Sequence, residues 1–275
     1  MDAGVRLVAT DLDGTLVHSD GSVTARTRAA LVAAEAAGVA VVFVTGRPLR
    51  WAEEVFEHVG GHGLAIVSNG ALVWDVAADA PYLQRPIEPE ATIAAVELLR
   101  AELPDVVFGT ETLAGWSMEP RYATHPADDG SGRAPHRVAP IAELAREPVL
   151  KLLGLCPGGD PDRMVAVAER AVGHLVTVTH SSLPLLEISA HDVTKASTLA
   201  LLCDELGIEA GAVVALGDMP NDIPMLTWAG TSYAMANAHP SVVAIADHLA
   251  GANDDDGVAQ VIESLLDSRV APQQD

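Results

Sequence analysis

The sequence predicts an α/β fold with a parallel main sheet, interrupted by a segment that mixes helices and strands. Two observations predict it. In both flanks of the chain, runs such as Val39–Val44 and Ala212–Leu216 are apolar on both faces and alternate with helix-like segments. Strands of that kind are typical of a parallel sheet with helices on both sides. The middle of the chain, from about 83 to 184, is richer in proline and turns and breaks the alternation.

The first flank opens with a short, mainly apolar strand at Val5–Thr10. A helix over about 24–37 follows and ends at Gly38, a typical helix stop, before the next strand. A second helix leads to a strand at Leu64–Val67. Asn69-Gly70 comes directly after this strand, and the pair predicts a hairpin to the short strand that follows.

The second flank repeats the alternation. It predicts, in order, a helix, a buried strand, a short helix, a strand and a closing helix, over about 194–206, 212–216, 220–228, 231–236 and 255–267. In the middle segment, two predicted helices, over about 89–102 and 160–172, stand among β-prone stretches. We therefore expect an α/β domain formed by residues 1–83 and 185–275, and an α+β domain inserted as residues 84–184.

The charge of the chain excludes several classes of partner. It carries 38 acidic and 16 basic residues, a formal net charge of −22. Nucleic acid and anionic membrane surfaces need a cationic partner, so neither is expected to bind. No apolar run reaches the roughly 20 residues that span a bilayer, and the N-terminus lacks the pattern of a secretory signal. We expect a cytoplasmic protein, and any anionic ligand must find positive charge that is local to its site.

Polar residues follow three of the buried strands. Asp11 and Asp13 follow the first strand, Thr45 follows the second, and Asp218 follows the strand at 212–216. Ligands of open α/β sheets bind outside the carboxyl ends of the strands, so neighbouring strands would bring these side chains together. Three unpaired carboxylates in a cleft repel one another, and a divalent cation is their natural neutraliser. Oxygen ligands without His or Cys favour Mg²⁺ over zinc.

Three further residues are candidates for the same site. Asp222 follows Asp218 by four positions, so a helical turn would place both on one face. Lys195 stands at the start of a predicted helix, and Arg47 precedes another helix N-terminus, which is itself an anion site. Taken singly, each of these residues also fits a purely structural role, as a helix cap, a turn residue or a solvent-exposed lysine.

Taken together and in order, the motifs resemble the four motifs of the haloacid dehalogenase superfamily: Asp11–Leu16, Thr45–Arg47, Lys195 and Gly217–Asp222. A finer resemblance to its Cof-type phosphatases is carried by Asn69–Ala71, Met225–Leu226, Ala234–Ala238 and Asp256–Ala259. The resemblance covers residues 5–75 and 185–266. Ala196 departs from the glycine common in the family, and Pro220 lies inside the fourth motif. The implied architecture is a Rossmann-like parallel-sheet core with an inserted α+β cap domain.

The resemblance implies a Mg²⁺-dependent phosphatase that hydrolyses small-molecule phosphomonoesters, such as sugar phosphates or phosphorylated cofactors, through an aspartyl-phosphate. It makes Asp11 the nucleophile and Asp13 the acid and base, with Thr45 and Lys195 assisting catalysis. The implied metal ligands are Asp11, the main-chain carbonyl of Asp13, Asp218 and Asp222. The implied residues for phosphate and substrate are Thr45, Gly46, Arg47, Lys195 and Asn221.

Three alternatives stay open on the sequence alone. A sugar phosphomutase could use the same core and would give an isomerised sugar phosphate instead of orthophosphate. A non-catalytic signalling module could accept phosphate on an aspartate, although Asp13 beside the nucleophile favours rapid hydrolysis. A binding protein that uses Mg²⁺ only structurally is a third possibility, but it would not explain why the motifs occur together. The sequence indicates neither the individual substrate nor the oligomeric state.

Overall fold

Two β-sheets organise the chain, which this computed structural model describes over residues 4–59, 63–122, 134–180 and 184–270. In chain order the strands are β1 (Leu7–Thr10), β2 (Ala40–Val44), β3 (Leu64–Val67), β4 (Leu72–Asp75), β5 (Ala80–Gln84), β6 (Val107–Thr112), β7 (Gly115–Met118), β8 (Arg137–Val138), β9 (Lys151–Leu155), β10 (Val176–Thr179), β11 (Leu185–Ala190), β12 (Val213–Gly217), β13 (Thr231–Ala234) and β14 (His248–Leu249).

Helices connect most of these strands. In chain order they are α1 (Ala25–Ala36), α2 (Leu49–Val59), α3 (Pro89–Glu102), α4 (Ile141–Leu144), α5 (Pro161–Val172), α6 (Lys195–Leu206), α7 (Ile223–Trp228), α8 (Pro240–Val243) and α9 (Gly257–Val270). Within the described residues, none of these helices combines the length and the apolar character that crossing a bilayer requires.

The larger sheet has eight strands in the order β14-β13-β12-β1-β2-β3-β4-β5. Its strands from β14 to β3 run parallel, and β4 and β5 continue it antiparallel. One apolar cluster packs α1, α2 and α9 against one face, and another packs α6 and α7 against the opposite face. The predicted α/β class is confirmed, because covering both faces is what buries all four residues of β1.

The second sheet has six strands in the order β10-β11-β9-β6-β7-β8 and is mainly antiparallel. An apolar cluster of its own packs α3 and α5 against it. Leu185–Ala190 belong to this sheet, although they follow the predicted end of the insertion at residue 184. We call the eight-stranded sheet with its helices the core unit, and the six-stranded sheet with its helices the insert unit.

Local signals explain several element boundaries. Thr194 accepts a hydrogen bond from the backbone N–H of Ser197, whose hydroxyl accepts one from the N–H of Thr194, so α6 begins in a reciprocal capping box. The helix ends at Gly207, which adopts the left-handed conformation with φ of 63°. The hairpin predicted at Asn69-Gly70 is confirmed by the antiparallel pairing of β3 with β4.

Candidate active site

The carboxyl ends of three neighbouring strands form one edge of the core unit. β1 lies between β2 and β12, and Thr10 is in register with both Phe43 and Leu216. The residues that follow at the ends of the three strands, Asp11, Thr45 and the Gly217–Asp218 pair, therefore meet at this edge. Asp11, Thr45 and Asp218 are all buried. This agrees with the predicted site at the carboxyl ends of the strands.

Asp11, Asp218 and Asp222 form a buried acidic triad. Each offers one carboxylate oxygen, and these three oxygens lie within 4.8 Å of one another. Burial, together with the charge of Asp222, raises the pKa of Asp218 to about 7. Burial also raises the pKa of Asp11 well above its ordinary value; Lys195 opposes this shift, and Asp222 and Asp218 add to it. The triad has the oxygen donors and the excess negative charge that a hard divalent cation fits.

Lys195 supplies the positive charge that contacts the triad. Its Nζ donates hydrogen bonds of 2.6 Å to Asp11 Oδ1 and to Asp222 Oδ1. Burial by itself would lower the pKa of this ammonium, but the two carboxylates raise it above its ordinary value, so Lys195 stays charged. One ammonium facing three carboxyl groups leaves the triad short of positive charge.

A short 3-10 turn, Pro220–Asp222, brings Asp222 to Asp218. Oδ2 of Asp222 accepts hydrogen bonds of 3.0 Å from the backbone N–H groups of Asp218 and Met219. Asp218 precedes the turn, so the expectation that both aspartates share one face of a helical turn is wrong. The two residues meet because Asp222 caps the turn that begins after Asp218, and Pro220 suits the first position of such a turn.

The turn that follows Asp11 is fitted closely to the triad. Thr15 donates a hydrogen bond of 2.9 Å from its hydroxyl to Asp218 Oδ1. Gly14 has φ of +75°, and a β-carbon there would collide with the carboxylate of Asp218. The main-chain carbonyl of Gly14 accepts a 2.7 Å hydrogen bond from the side-chain amide of Asn237. Glycine is therefore needed at this position both for its backbone angle and for the close approach.

The side chain of Asp13 lies outside the triad. It is 56% exposed, and the guanidinium of Arg47 donates to both of its oxygens, at 2.7 Å from Nε and 2.5 Å from Nη2. This pairing is the main reason why the pKa of Arg47 is raised. Arg47 also donates from its backbone N–H to the hydroxyl oxygen of Thr45, at 3.0 Å. The structure therefore groups Asp13, Arg47 and Thr45 beside one another, with Asp13 exposed and Thr45 buried.

Sequence reasoning missed a polar chain that crosses from the insert unit to the site. Lys151, at the start of β9, donates hydrogen bonds of 2.6 Å to the carbonyl of Gly46 and to Oε2 of Glu187. The same Glu187 oxygen accepts a 2.6 Å hydrogen bond from the amide of Asn69, whose Oδ1 accepts one of 3.2 Å from the amide of Asn221. The sequence signals for these hydrogen bonds are two charged residues in otherwise apolar strands, Lys151 in KLLGL and Glu187 in LLEISA.

A second contact between charged side chains joins the two units. Arg50 in α2 donates to Glu111 in β6, with 2.7 Å between Nη2 and Oε1. The Glu111 side chain is only 3% exposed, and the guanidinium also lies 4.3 Å from the ring centre of Trp51. Polar contacts at Gly46, Asn69 and Arg50 therefore join the insert unit to the core unit.

Comparison with known proteins places the chain among hydrolases of one family. A family model for haloacid dehalogenase-like hydrolases matches residues 8–262. The 5-amino-6-(5-phospho-D-ribitylamino)uracil phosphatase YcsE of Bacillus subtilis is 28% identical, covering 95% of this chain and 96% of its own. The phosphoglycolate phosphatase of Methanopyrus kandleri is 30% identical, covering 95% and 97%. The structure of a haloacid dehalogenase-like hydrolase from B. subtilis superposes with a TM-score of 0.80 at 25% identity, covering 94% and 99%. The chain therefore belongs to the haloacid dehalogenase superfamily, in its Cof-type branch, and is a hydrolase of phosphoric monoesters.

Proposed function

We propose that this phosphatase is Mg²⁺-dependent and hydrolyses small-molecule phosphomonoesters through an aspartyl-phosphate formed on Asp11. The observation that carries the proposal is the buried triad of Asp11, Asp218 and Asp222 with Lys195 between two of its members. Buried carboxylates in this number need more positive charge than one ammonium provides. A phosphate ester needs the same charge, because its own oxygens are anionic.

The metal would be held by carboxylate oxygens of Asp11 and Asp218 and by the main-chain carbonyl of Asp13. Asp222 supports these ligands, because its two oxygens already engage Lys195 and the backbone of Asp218. When bound, Mg²⁺ supplies charge that neutralises the phosphoryl oxygens and lets an anionic nucleophile approach.

Asp11 would be the nucleophile, and its hydrogen bonding supports this role. Lys195 holds its Oδ1, and within the described residues its Oδ2 has no hydrogen-bond partner. In the first step Oδ2 bonds to phosphorus as the bond from phosphorus to the leaving oxygen breaks. Asp13 gives that oxygen its proton. In the second step Asp13 takes a proton from water, whose oxygen bonds to phosphorus and releases Asp11 and orthophosphate.

The remaining polar groups hold the phosphoryl oxygens. The hydroxyl oxygen of Thr45 already accepts the backbone N–H of Arg47, so its own hydrogen is free to be donated to phosphate. Lys195, which contacts Asp11, and the backbone N–H of Gly46, which follows Thr45, would donate to the other phosphoryl oxygens, and Asn221, close to Gly46, would contact the substrate. For Asp13 to act, it exchanges Arg47 for the substrate, which its exposed position allows.

We further propose that the insert unit is a cap that excludes water from the reaction. The contacts of Lys151 with Gly46 and of Glu111 with Arg50 support this assignment, because each joins the insert unit to a residue beside the site. Exclusion of water strengthens the electrostatic interactions that stabilise the transferring phosphoryl group.

The test is a phosphate-release screen across sugar phosphates, phosphorylated cofactors and the substrates named for the two relatives, with Mg²⁺ and with EDTA. Release that requires Mg²⁺ is the expected result. Metal-independent release would contradict the metal site. An isomerised sugar phosphate without orthophosphate would favour a mutase, and a phosphoprotein that persists for hours would favour a signalling module.

A further inference from the structure

Lys151 carries a buried charge between the two units, and the proposed reaction gives it no role. The residue is only 2% exposed. Its Nζ donates to the carbonyl of Gly46 in the core unit and to Oε2 of Glu187 in the insert unit, at 2.6 Å in each case. A buried ion pair contributes little to stability, because the loss of hydration offsets the attraction between the charges. Stability alone therefore does not account for an ammonium at this place.

The loop that follows β2 is held through three consecutive carbonyl groups. The carbonyl of Thr45 accepts from the backbone N–H of Asn69 at 3.1 Å, and that of Arg47 accepts from the backbone N–H of Ser68 at 2.8 Å. Both of these donors belong to the core unit. The middle carbonyl, that of Gly46, accepts from the lysine ammonium and has no other partner in the described part of the chain. The insert unit therefore completes the hydrogen bonding of this loop.

A single peptide group links the ammonium to the hydroxyl of Thr45. The carbonyl of Gly46 and the N–H of Arg47 belong to the same trans peptide unit, so they point in opposite directions. The carbonyl accepts from Lys151, and the N–H donates to Oγ1 of Thr45 at 3.0 Å. Hydrogen bonds in a chain of this kind polarise one another. The ammonium therefore fixes the orientation of the peptide and makes its N–H a stronger donor.

The orientation of this peptide determines what the hydroxyl of Thr45 can do. Because the hydroxyl oxygen accepts the N–H of Arg47, its hydrogen is left for another acceptor, which in the proposed function is a phosphoryl oxygen. If the peptide turned over, the carbonyl oxygen of Gly46 would face the hydroxyl instead. It would accept the hydrogen of the hydroxyl and would repel the anionic phosphate. The contact with Lys151 opposes that rotation.

Glu187 keeps the ammonium next to the loop. Its Oε2 accepts from Lys151 and from the side-chain amide of Asn69, at 2.6 Å in each case. A β-carbon on Gly46 would stand 2.9 Å from Oδ1 of Asn69 and 3.4 Å from this Glu187 oxygen. A glycine in the loop therefore allows the polar groups of both units to approach its backbone closely.

On the basis of the proposed function, we infer that Lys151 is a positioning residue of the phosphatase reaction. Its ammonium holds the peptide between Gly46 and Arg47 so that the hydroxyl of Thr45 donates to the transferring phosphoryl group. Because Lys151 belongs to the insert unit, the loop that holds phosphate in the core unit is fully ordered for catalysis only while the two units are in contact.

The test is a double-mutant cycle on the hydrolysis of p-nitrophenyl phosphate with Mg²⁺. Every variant of the cycle carries Glu187→Gln, so that no buried carboxylate loses its cationic partner when Lys151 is changed. In this background Lys151→Met should lower kcat about tenfold, the loss expected for one hydrogen bond. When Thr45→Val is also present, Lys151→Met should lower kcat less than about twofold, because the hydroxyl through which it acts is absent.

Titration of the same four proteins with inorganic phosphate and Mg²⁺ closes the cycle on binding, and it decides the outcome if Thr45→Val is too slow to assay. Lys151→Met should weaken phosphate binding at least about threefold beside the threonine and less than about twofold beside Thr45→Val. The matched control is Arg50→Met with Glu111→Gln, which removes the other charged contact between the units. Any loss it causes should be the same with and without Thr45→Val.

An equal loss from Lys151→Met with and without the hydroxyl of Thr45 would mean that the lysine acts only on folding or on the contact between the units, and it would overturn the inference. The absence of any loss would overturn it as well. In both cases, hydrolysis of p-nitrophenyl phosphate by the unmodified protein would leave the proposed function standing. An unmodified protein that does not hydrolyse p-nitrophenyl phosphate with Mg²⁺ would instead overturn the proposed function and the inference with it.

Discussion

Lys195 and Asp11 stand 184 positions apart in the sequence and meet in a buried hydrogen bond of 2.6 Å between Nζ and Oδ1. The bond ties the two flanks of the core unit together at the carboxyl end of β1. It also orients the carboxylate so that Oδ2 remains for chemistry. The same contact therefore stabilises the fold and prepares the proposed nucleophile.

Asp11→Asn tests the nucleophile. The amide keeps the shape of the side chain and can still accept from Lys195, but it cannot form the acyl phosphate. We expect kcat to fall by at least about 1,000-fold, with an unchanged circular dichroism spectrum. Orthophosphate release measures the first quantity. Asp204→Asn, at an exposed position of α6, is the matched control and should keep full activity. Turnover within a few-fold of the unmodified protein in Asp11→Asn would end the covalent mechanism.

Lys195→Met tests the charge balance of the triad. Removing the ammonium leaves Asp11 and Asp222 buried without a cationic partner, because Lys195 bridges the two. We expect the free energy of unfolding in EDTA to fall by about 3 to 5 kcal/mol. Urea denaturation measures it.

The double variant Lys195→Met with Asp11→Asn provides the control for this prediction. It removes one of the two stranded charges, so it should recover part of the lost stability, and the double-mutant cycle should show a clear coupling between the positions. A single variant as stable as the unmodified protein would mean that the ammonium does not balance the triad.

Asp218→Asn tests the metal site without relying on activity. In the unmodified protein, Mg²⁺ at 100 times its dissociation constant should raise the free energy of unfolding by about 2.7 kcal/mol. The variant lacks one of the three carboxylates, so this rise should be lost, while its stability in EDTA should increase because repulsion in the triad is relieved. Titration calorimetry and thermal melts with Mg²⁺ and with EDTA measure both effects, with Asp204→Asn again as control. Unaltered Mg²⁺ affinity in Asp218→Asn would remove this residue from the metal site.

The parts of the fold that the sequence predicted are those set by local pattern. β1, β2 and β12 are apolar on both faces, which already implies a sheet covered on both sides. The polar residues that follow these strands could be predicted to meet because parallel strands end at the same edge. The gathering of Asp11 and Asp218 needed no information from distant parts of the chain beyond strand order.

The parts that were missed depend on long-range contacts or on weak local signals. Strands β5, β7, β8, β11 and β14 were not predicted. Four of them are short or carry few apolar residues, whereas β11 was missed although its sequence, LLEISA, is largely apolar. Glu187 and Asn69 are 118 positions apart, and no periodic pattern in the sequence predicts their hydrogen bond. The pairing of Arg47 with Asp13 likewise depends on how the loop after β2 folds back over the loop after β1.

Asp256, directly before α9, connects the C-terminal part of the chain to His18 and to the start of α1. One of its oxygens, Oδ1, accepts hydrogen bonds from the hydroxyls of Thr24 and Thr27 at 2.6 and 3.1 Å, and lies 3.1 Å from Nε2 of His18. Burial acts to raise the pKa of this carboxyl group, but the hydrogen bonds from Thr24, His18 and Thr27 outweigh it and hold the pKa below its ordinary value.

Asp256→Asn should therefore destabilise the protein in a way that depends on pH. A carboxyl group whose pKa is lower in the folded state stabilises that state above the unfolded pKa, about 3.9 for aspartate, and the contribution is lost as the pH falls through the folded value. We expect a loss of about 1 to 2 kcal/mol at pH 7, from weakening charge-assisted hydrogen bonds, and a smaller difference from the unmodified protein below about pH 4. Urea denaturation across this pH range measures both. Asp267→Asn, exposed on α9, is the matched control and should lose little at any pH. A deficit for Asp256→Asn that stays constant from pH 7 down to pH 3 would show that the ionised carboxylate is not the source of the stabilisation.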